Sequence, residues 1–260
     1  MIDGIMEWND EAIVLSVLPH GETSAIVTLL TSQRGRHAGL VSGGQSRSKR
    51  PLLQAGNRVT VRWRARLEGH LGNMSLELTH ATMAPWLNHP EILAIIASAV
   101  TVTEASLPER QAMPHIYHGL CALFSLEQAE HWGPSYIKWE LGVLKALGYG
   151  LDMSCCALSG AKKGLAYISP RTGRAATALA AAAYADKLLP LPAFLCSGNI
   201  GDESEIAKGL DLTGYFLENH VFINPQSRRL IPIDGMLPLA RQRLRALYQK
   251  DEQPLATAAA

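Results

Sequence analysis

Residues 58–67 alternate without a break: Val59, Val61, Trp63, Ala65 and Leu67 interleave with Arg58, Thr60, Arg62, Arg64 and Arg66. A period of two separates the two sets only on a β-strand, whose successive side chains point to opposite faces. One face is therefore apolar and faces a core, and the other carries a row of guanidinium groups about 6.5–7 Å apart. Trp63 shares the phase of Val59 and Val61, which assigns its indole to core packing rather than to stacking on a ligand. The same reading finds strands at Ala12–Leu18 and Ala25–Leu30, divided by Pro19, His20, Gly21 and Glu22, and a third at Gly35–Val41. Met74, Leu76 and Leu78 alternate again beyond Gly69 and Gly72. Five short turn-linked strands in about 80 residues fit an OB-type barrel, and by pattern alone an SH3-like one.

Beyond Pro85 the period changes. Glu91–Ala105, Pro108–Leu126 and Pro134–Leu147 have helical length, apolar residues three and four apart, and a proline near the start. Helices resume at Ser204–Val221 and Leu237–Tyr248. The expected fold class is α+β: an N-terminal OB-type barrel over 1–83, then an α-helical domain over 84–250. A small irregular module is inserted at 151–175, and 251–260 reads as a disordered tail. The Gly, Ser, Arg and Lys-rich stretch Gly43–Gly56 reads as a mobile loop. On the last helix Arg241 and Arg245 stack at i,i+4 opposite Ala240, Leu244 and Leu247, which reads as a soluble outer face more than as a second basic patch.

Net charge is only +1, so distribution decides what the charges mean. Between Thr23 and Leu67 there is no Asp or Glu, while Arg34, Arg36, Arg47, Lys49, Arg50, Arg58, Arg62, Arg64 and Arg66 all lie there. Such a field suits a phosphate backbone, since each cation displaces condensed counterions and Arg grips phosphate in a bidentate fashion. The alternative is a solvated face paired with carboxylates of the helical domain. No other aromatic interleaves the arginines, so the expected contact is sequence-tolerant.

Other classes lose ground. No apolar run reaches the length of a membrane span, and the acidic start lacks a secretory h-region, so the expected location is the cytoplasm. Cys121, Cys155, Cys156 and Cys196 lack the C-x-x-C spacing of metal ribbons. His115, His118 and Cys121 recur every three residues on one helix, a conceivable metal face that ordinary helix packing explains better. P-loop, G-x-S-x-G and H-E-x-x-H motifs are absent, so no enzyme is expected. The residues alone leave open another OB-type protein that binds RNA or other nucleic acid, or a metal-dependent enzyme using the helical domain.

The passages MEWNDEAIVLSVLPHGETSAIVTLL and LVSGGQSRSKRPLLQAGNRVTVRWRARLEGHLG resemble the opening of the RecO family of DNA repair and recombination mediators. WELGVLKALGYGLDMSCCALSG, AYISPRTGRAA and YADKLLPLPAFL follow in the family's order. The resemblance implies an OB fold followed by a helical domain whose small module binds zinc in some members. Only Cys156 matches a family cysteine here, and no cysteine stands around Ser169–Ala176, so no zinc or other cofactor is expected. It further implies binding of single- and double-stranded DNA on the nucleoid and annealing of complementary strands. With RecR, it implies loading of RecA onto DNA coated by single-stranded-DNA-binding protein.

Overall fold

A computed structural model describes residues 6–67, 69–223 and 237–249. The first strand, β1 (Met6–His20), is 15 residues long because it serves two partners: its first half pairs antiparallel with β4 (Arg58–Ala65) and its second half with β2 (Ser24–Thr31). β2 pairs with β3 (Gly35–Val41), and β4 with β5 (Asn73–His80). The ring order β1-β2-β3-β5-β4 comes together through a single parallel pair, Leu40 with Asn73, which makes the β3–β5 side a narrow seam. This is an OB-type barrel.

The alternation in β4 holds residue for residue, with Val59, Val61, Trp63 and Ala65 buried. In β1 it does not. Ala12, Ile13, Val14 and Leu15 are all buried, because the strand is covered on both faces. Ala12 and Val14 enter the barrel core, whereas Ile13, Leu15 and, from β2, Leu30 join the core of the helical domain. Gly56, at φ 88°, sits where a Cβ would stand 2.8 Å from the Ile96 side chain, so only glycine lets the chain pass this close.

The segment expected as a mobile loop is built from turns. Residues 42–57 form successive hydrogen-bonded turns, with the Lys49 and Arg50 amides on the Ser46 carbonyl and the Leu53 amide on Lys49. Leu53 is buried in the barrel core and Asn57 caps the segment by donating to the Pro51 carbonyl. Gly43 and Gly56 there adopt the positive φ that such turns require.

The helical domain is built on α1 (Pro90–Ser106), α2 (Pro114–Phe124) and α3 (Trp132–Ala146). The second of these starts later than Pro108, because 107–113 run along the barrel instead. The inserted module, expected over 151–175, extends further because β6 (Leu165–Ile168) pairs both with β7 (Ala175–Thr177) and with β8 (Leu189–Pro190), with two short helices, α4 (Ala178–Ala181) and α5 (Phe194–Ser197), alongside. Next comes α6 (Glu203–Phe216), capped by Asp202 and continued by a π-turn, then α7 (Leu239–Gln249). The tail expected at 251–260 lies outside the described residues.

The outer-face reading of the last helix is overturned at Arg241, which is fully buried. Its Nε donates to Glu140 Oε1 at 2.6 Å and its Nη2 to Glu140 Oε2 at 3.0 Å and to the Leu210 carbonyl at 2.8 Å. Glu140 also accepts from Tyr136 at 2.5 Å and from Thr213, and Tyr136 meets Ser98 at 2.7 Å. Four helices thus share one polar knot. Arg245 stays half-exposed and pairs with Asp211 at 2.5 Å.

Candidate nucleic-acid interface

The nine cations singled out from the sequence divide between the two ends of the barrel. β4 runs away from Arg58, so Arg62, Arg64 and Arg66 approach the end where β1 begins and β2 turns into β3, beside Arg34 and Arg36. Arg47, Lys49, Arg50 and, at the start of β4, Arg58 lie toward the opposite end, where Gln45 donates to the Gly21 and Ser24 carbonyls of the β1–β2 turn. Along β4, Arg62 stands about 13 Å from Arg58, and Arg66, just past the strand, about 26 Å from it. The cations form two patches rather than one continuous track.

Partners differ from cation to cation. Glu7 of β1 stands across the sheet from Arg64 and binds Arg62 at 2.5 Å and Arg64 at 2.8 Å. The hydrogen bond from Arg62 holds the Glu7 carboxyl below the usual carboxylate range. This pairing carboxylate comes from within the barrel, not from the helical domain. Arg36 is drawn inward: its side chain is 16% exposed, its Nε donates to the Leu107 carbonyl at 2.9 Å, and Glu109 lies 3.5 Å away. It ties the barrel to the α1–α2 linker. Arg58 is half-buried within electrostatic range of Tyr117 and Cys121. Arg34, Arg47, Arg50 and Arg66 are exposed and form no ion pair among the described residues, and Lys49 donates to the Ser42 carbonyl at 2.7 Å.

The sequence reading missed three residues at the first end. Trp8 lies opposite Trp63 in register and stacks on it, with centroids 5.5 Å apart and planes 17° apart. His37 meets both indoles edge-on at 5.1 and 5.2 Å. Arg110, at φ 59°, is the one non-glycine residue with positive φ among those described, and its amide donates to the Arg36 carbonyl at 2.8 Å. The signal for Trp8 was its parity with Met6, Asp10 and Ala12, legible only once β1 is seen to start before Ala12.

Elsewhere, His115 and His118 are exposed and Cys121 is half-buried on α2. Among the described residues no three His, Cys, Asp or Glu side chains gather to hold a metal. Cys156 packs with Ala176 and Ala181 in the inserted module. Hydrogen bonds from Ser159 and Thr177 bring its thiol down to about 6. An apolar groove of about 340 Å³ opens between α2 and α3, lined by Ile116, Leu123, Leu126 and Trp139 with Lys138 at its edge. No helix among the described residues is long and apolar enough to cross a membrane.

Comparison with known proteins agrees with this architecture. Residues 6–81 match the family model described as recombination protein O N terminal, and residues 87–229 match recombination protein O C terminal. The chain is 47% identical over 247 residues to the DNA repair protein RecO of Rhodospirillum centenum, covering 94% of this chain and 96% of that protein. It is 48% identical over 229 residues to its namesake in Caulobacter vibrioides, covering 87% and 94%. Against that of Rhodospirillum rubrum it is 42% identical over 247 residues, covering 92% and 95%. A barrel and a helical domain that both match, over most of the length of such relatives, make this chain a member of the RecO family.

Proposed function

We propose that this chain is a recombination mediator that works in the cytoplasm, on the nucleoid, by binding single- and double-stranded DNA without transforming it chemically. The observation that carries the reading is the pair of basic patches on a barrel whose residues 23–67 contain no carboxylate. Exposed Arg34 and Arg66 at one end, and Arg47 and Arg50 at the other, hold phosphates with no reference to sequence. Two patches a barrel's length apart suit annealing: each grips a backbone, and the cations between the strands lower their mutual repulsion. With RecR, such a protein promotes RecA loading on DNA coated by single-stranded-DNA-binding protein. The groove between α2 and α3, apolar with Lys138 at its edge, has the chemistry for a partner's acidic, apolar tail.

The test is fluorescence anisotropy of labelled single-stranded DNA over a salt series, with the Arg34, Arg47, Arg50 and Arg66 to Ala variant alongside. Tight, salt-sensitive binding is expected. Its log–log slope should flatten by about 0.7 for each phosphate contact the variant loses. Absence of binding at low salt would remove the physical basis of the reading.

A further inference from the structure

A cavity of about 240 Å³ opens at the first end of the barrel, walled by Trp8, His37 and Trp63 and rimmed by Arg34 and Arg110. His37 is 6% exposed, and neither of its ring nitrogens has a hydrogen-bond partner. A buried imidazole left without partners is costly and calls for one. Burial, with Arg110 and Arg34 nearby, brings its pKa down to about 4, so the ring is neutral near pH 7 and offers one donor and one acceptor. The two arginines argue against a cationic ligand.

The rim is built rather than incidental. Arg110 adopts a backbone conformation that side chains disfavour and is pinned there by its amide on Arg36 and its Nη2 on the His70 carbonyl at 3.1 Å. A Cβ on Gly35 would stand 1.8 Å from the Gln111 carbonyl oxygen, so the β2–β3 turn is pressed directly against this linker. Trp8 is half-buried: one face lies on Trp63, and the Arg34 guanidinium covers the ring at 5.1 Å. An exposed cation over an indole is a weaker contact than a base stacked on it, so Arg34 can be displaced toward a phosphate.

We propose that this cavity receives one nucleobase of single-stranded DNA, stacked on Trp8 with its edge toward His37, while Arg34 and Arg110 hold the flanking phosphates. The proposal rests on the DNA-binding reading above and adds to it a preference for unpaired strands. A base inside a duplex is already stacked and paired, and cannot enter without being flipped out.

The experiment compares anisotropy of a short labelled oligothymidine with that of an abasic strand of the same length, for the full chain and for Trp8→Leu and Trp8→Phe. The unaltered protein should prefer oligothymidine by about 5- to 100-fold. That ratio should fall to near one in Trp8→Leu and survive in Trp8→Phe. Equal binding of both strands by the unaltered protein, or a ratio that persists in folded Trp8→Leu, overturns the base site and leaves the phosphate patches standing. Failure of either strand to bind overturns both readings. Should Trp8→Leu lose its cooperative melt, tryptophan emission of the unaltered protein decides. Quenching by oligothymidine and not by the abasic strand supports the site, and equal quenching overturns it.

Discussion

Glu7 governs how much of the arginine row is available, because one carboxylate engages both Arg62 and Arg64. Its depressed pKa keeps it ionised through the neutral range, so the pairing competes with any phosphate. Glu7→Gln should therefore tighten single-strand binding and steepen the log–log salt slope by about 0.7 to 1.4, the value of one or two additional phosphate contacts. Unchanged or weaker binding in anisotropy would mean that Glu7 positions the arginines rather than competing for them. His37 gives a pH signature of opposite origin. Its folded pKa of about 4 lies below the ordinary 6.5, so the unfolded chain binds more protons between those values and stability rises with pH across that window. Acidification from 6.5 to 4 should cost on the order of 1–3 kcal/mol through this group. His37→Phe should remove that part of the slope, as urea titrations at stepped pH would show. An unaltered slope would assign the acid sensitivity to other groups.

The last helix is fixed by chemistry at its centre more than by its apolar stripe. Arg241 and Glu140 are both fully buried, and removing one partner strands a charge away from water. Glu140→Gln should lower unfolding stability by about 3–5 kcal/mol, whereas Glu140→Leu with Arg241→Met should cost much less than that single change. Urea denaturation of the singles and the double checks this, and a double that costs as much as the sum would show the two residues to be uncoupled. The same element shows what a one-dimensional reading misses. Arg241 and Arg245 at i,i+4 look like an outer face, and the partner that draws Arg241 inward lies 101 residues earlier. β4 was legible because its information is local: every second residue is apolar, and the barrel honours the pattern. Glu7 was not, because the carboxylate that complements the arginine row arrives across the sheet from a strand that pairs only in three dimensions. The grouping of Arg34 with Arg64 and Arg66 at one end was hidden for the same reason, since the β2–β3 turn and the end of β4 meet only through the barrel's pairing.

At the scale of the molecule, barrel and helices are not beads on a string. Ile13, Leu15 and Leu30 leave the barrel wall outward and are buried with Ile92, Ile96 and Val100. Ser16 hydrogen-bonds Glu104, and Arg36 reaches the Leu107 carbonyl. Cutting the chain after residue 83 would return three large aliphatic side chains to water at about 1.5–3 kcal/mol each. That loss is comparable with the whole stability of a small domain, typically about 5–15 kcal/mol. The barrel's own core is small, and its β3–β5 seam rests on one register pair. The fragment 1–83 should therefore lack a cooperative urea transition, or melt far below the full chain, while the full chain unfolds in one step. A fragment with the full chain's midpoint would show the barrel to be self-sufficient. The shared core also has a consequence for binding. The linker that carries Arg110 is held between barrel and helices, so the base cavity exists only in the assembled molecule. The fragment should then lose any preference of oligothymidine over an abasic strand even where its exposed cations still hold phosphate.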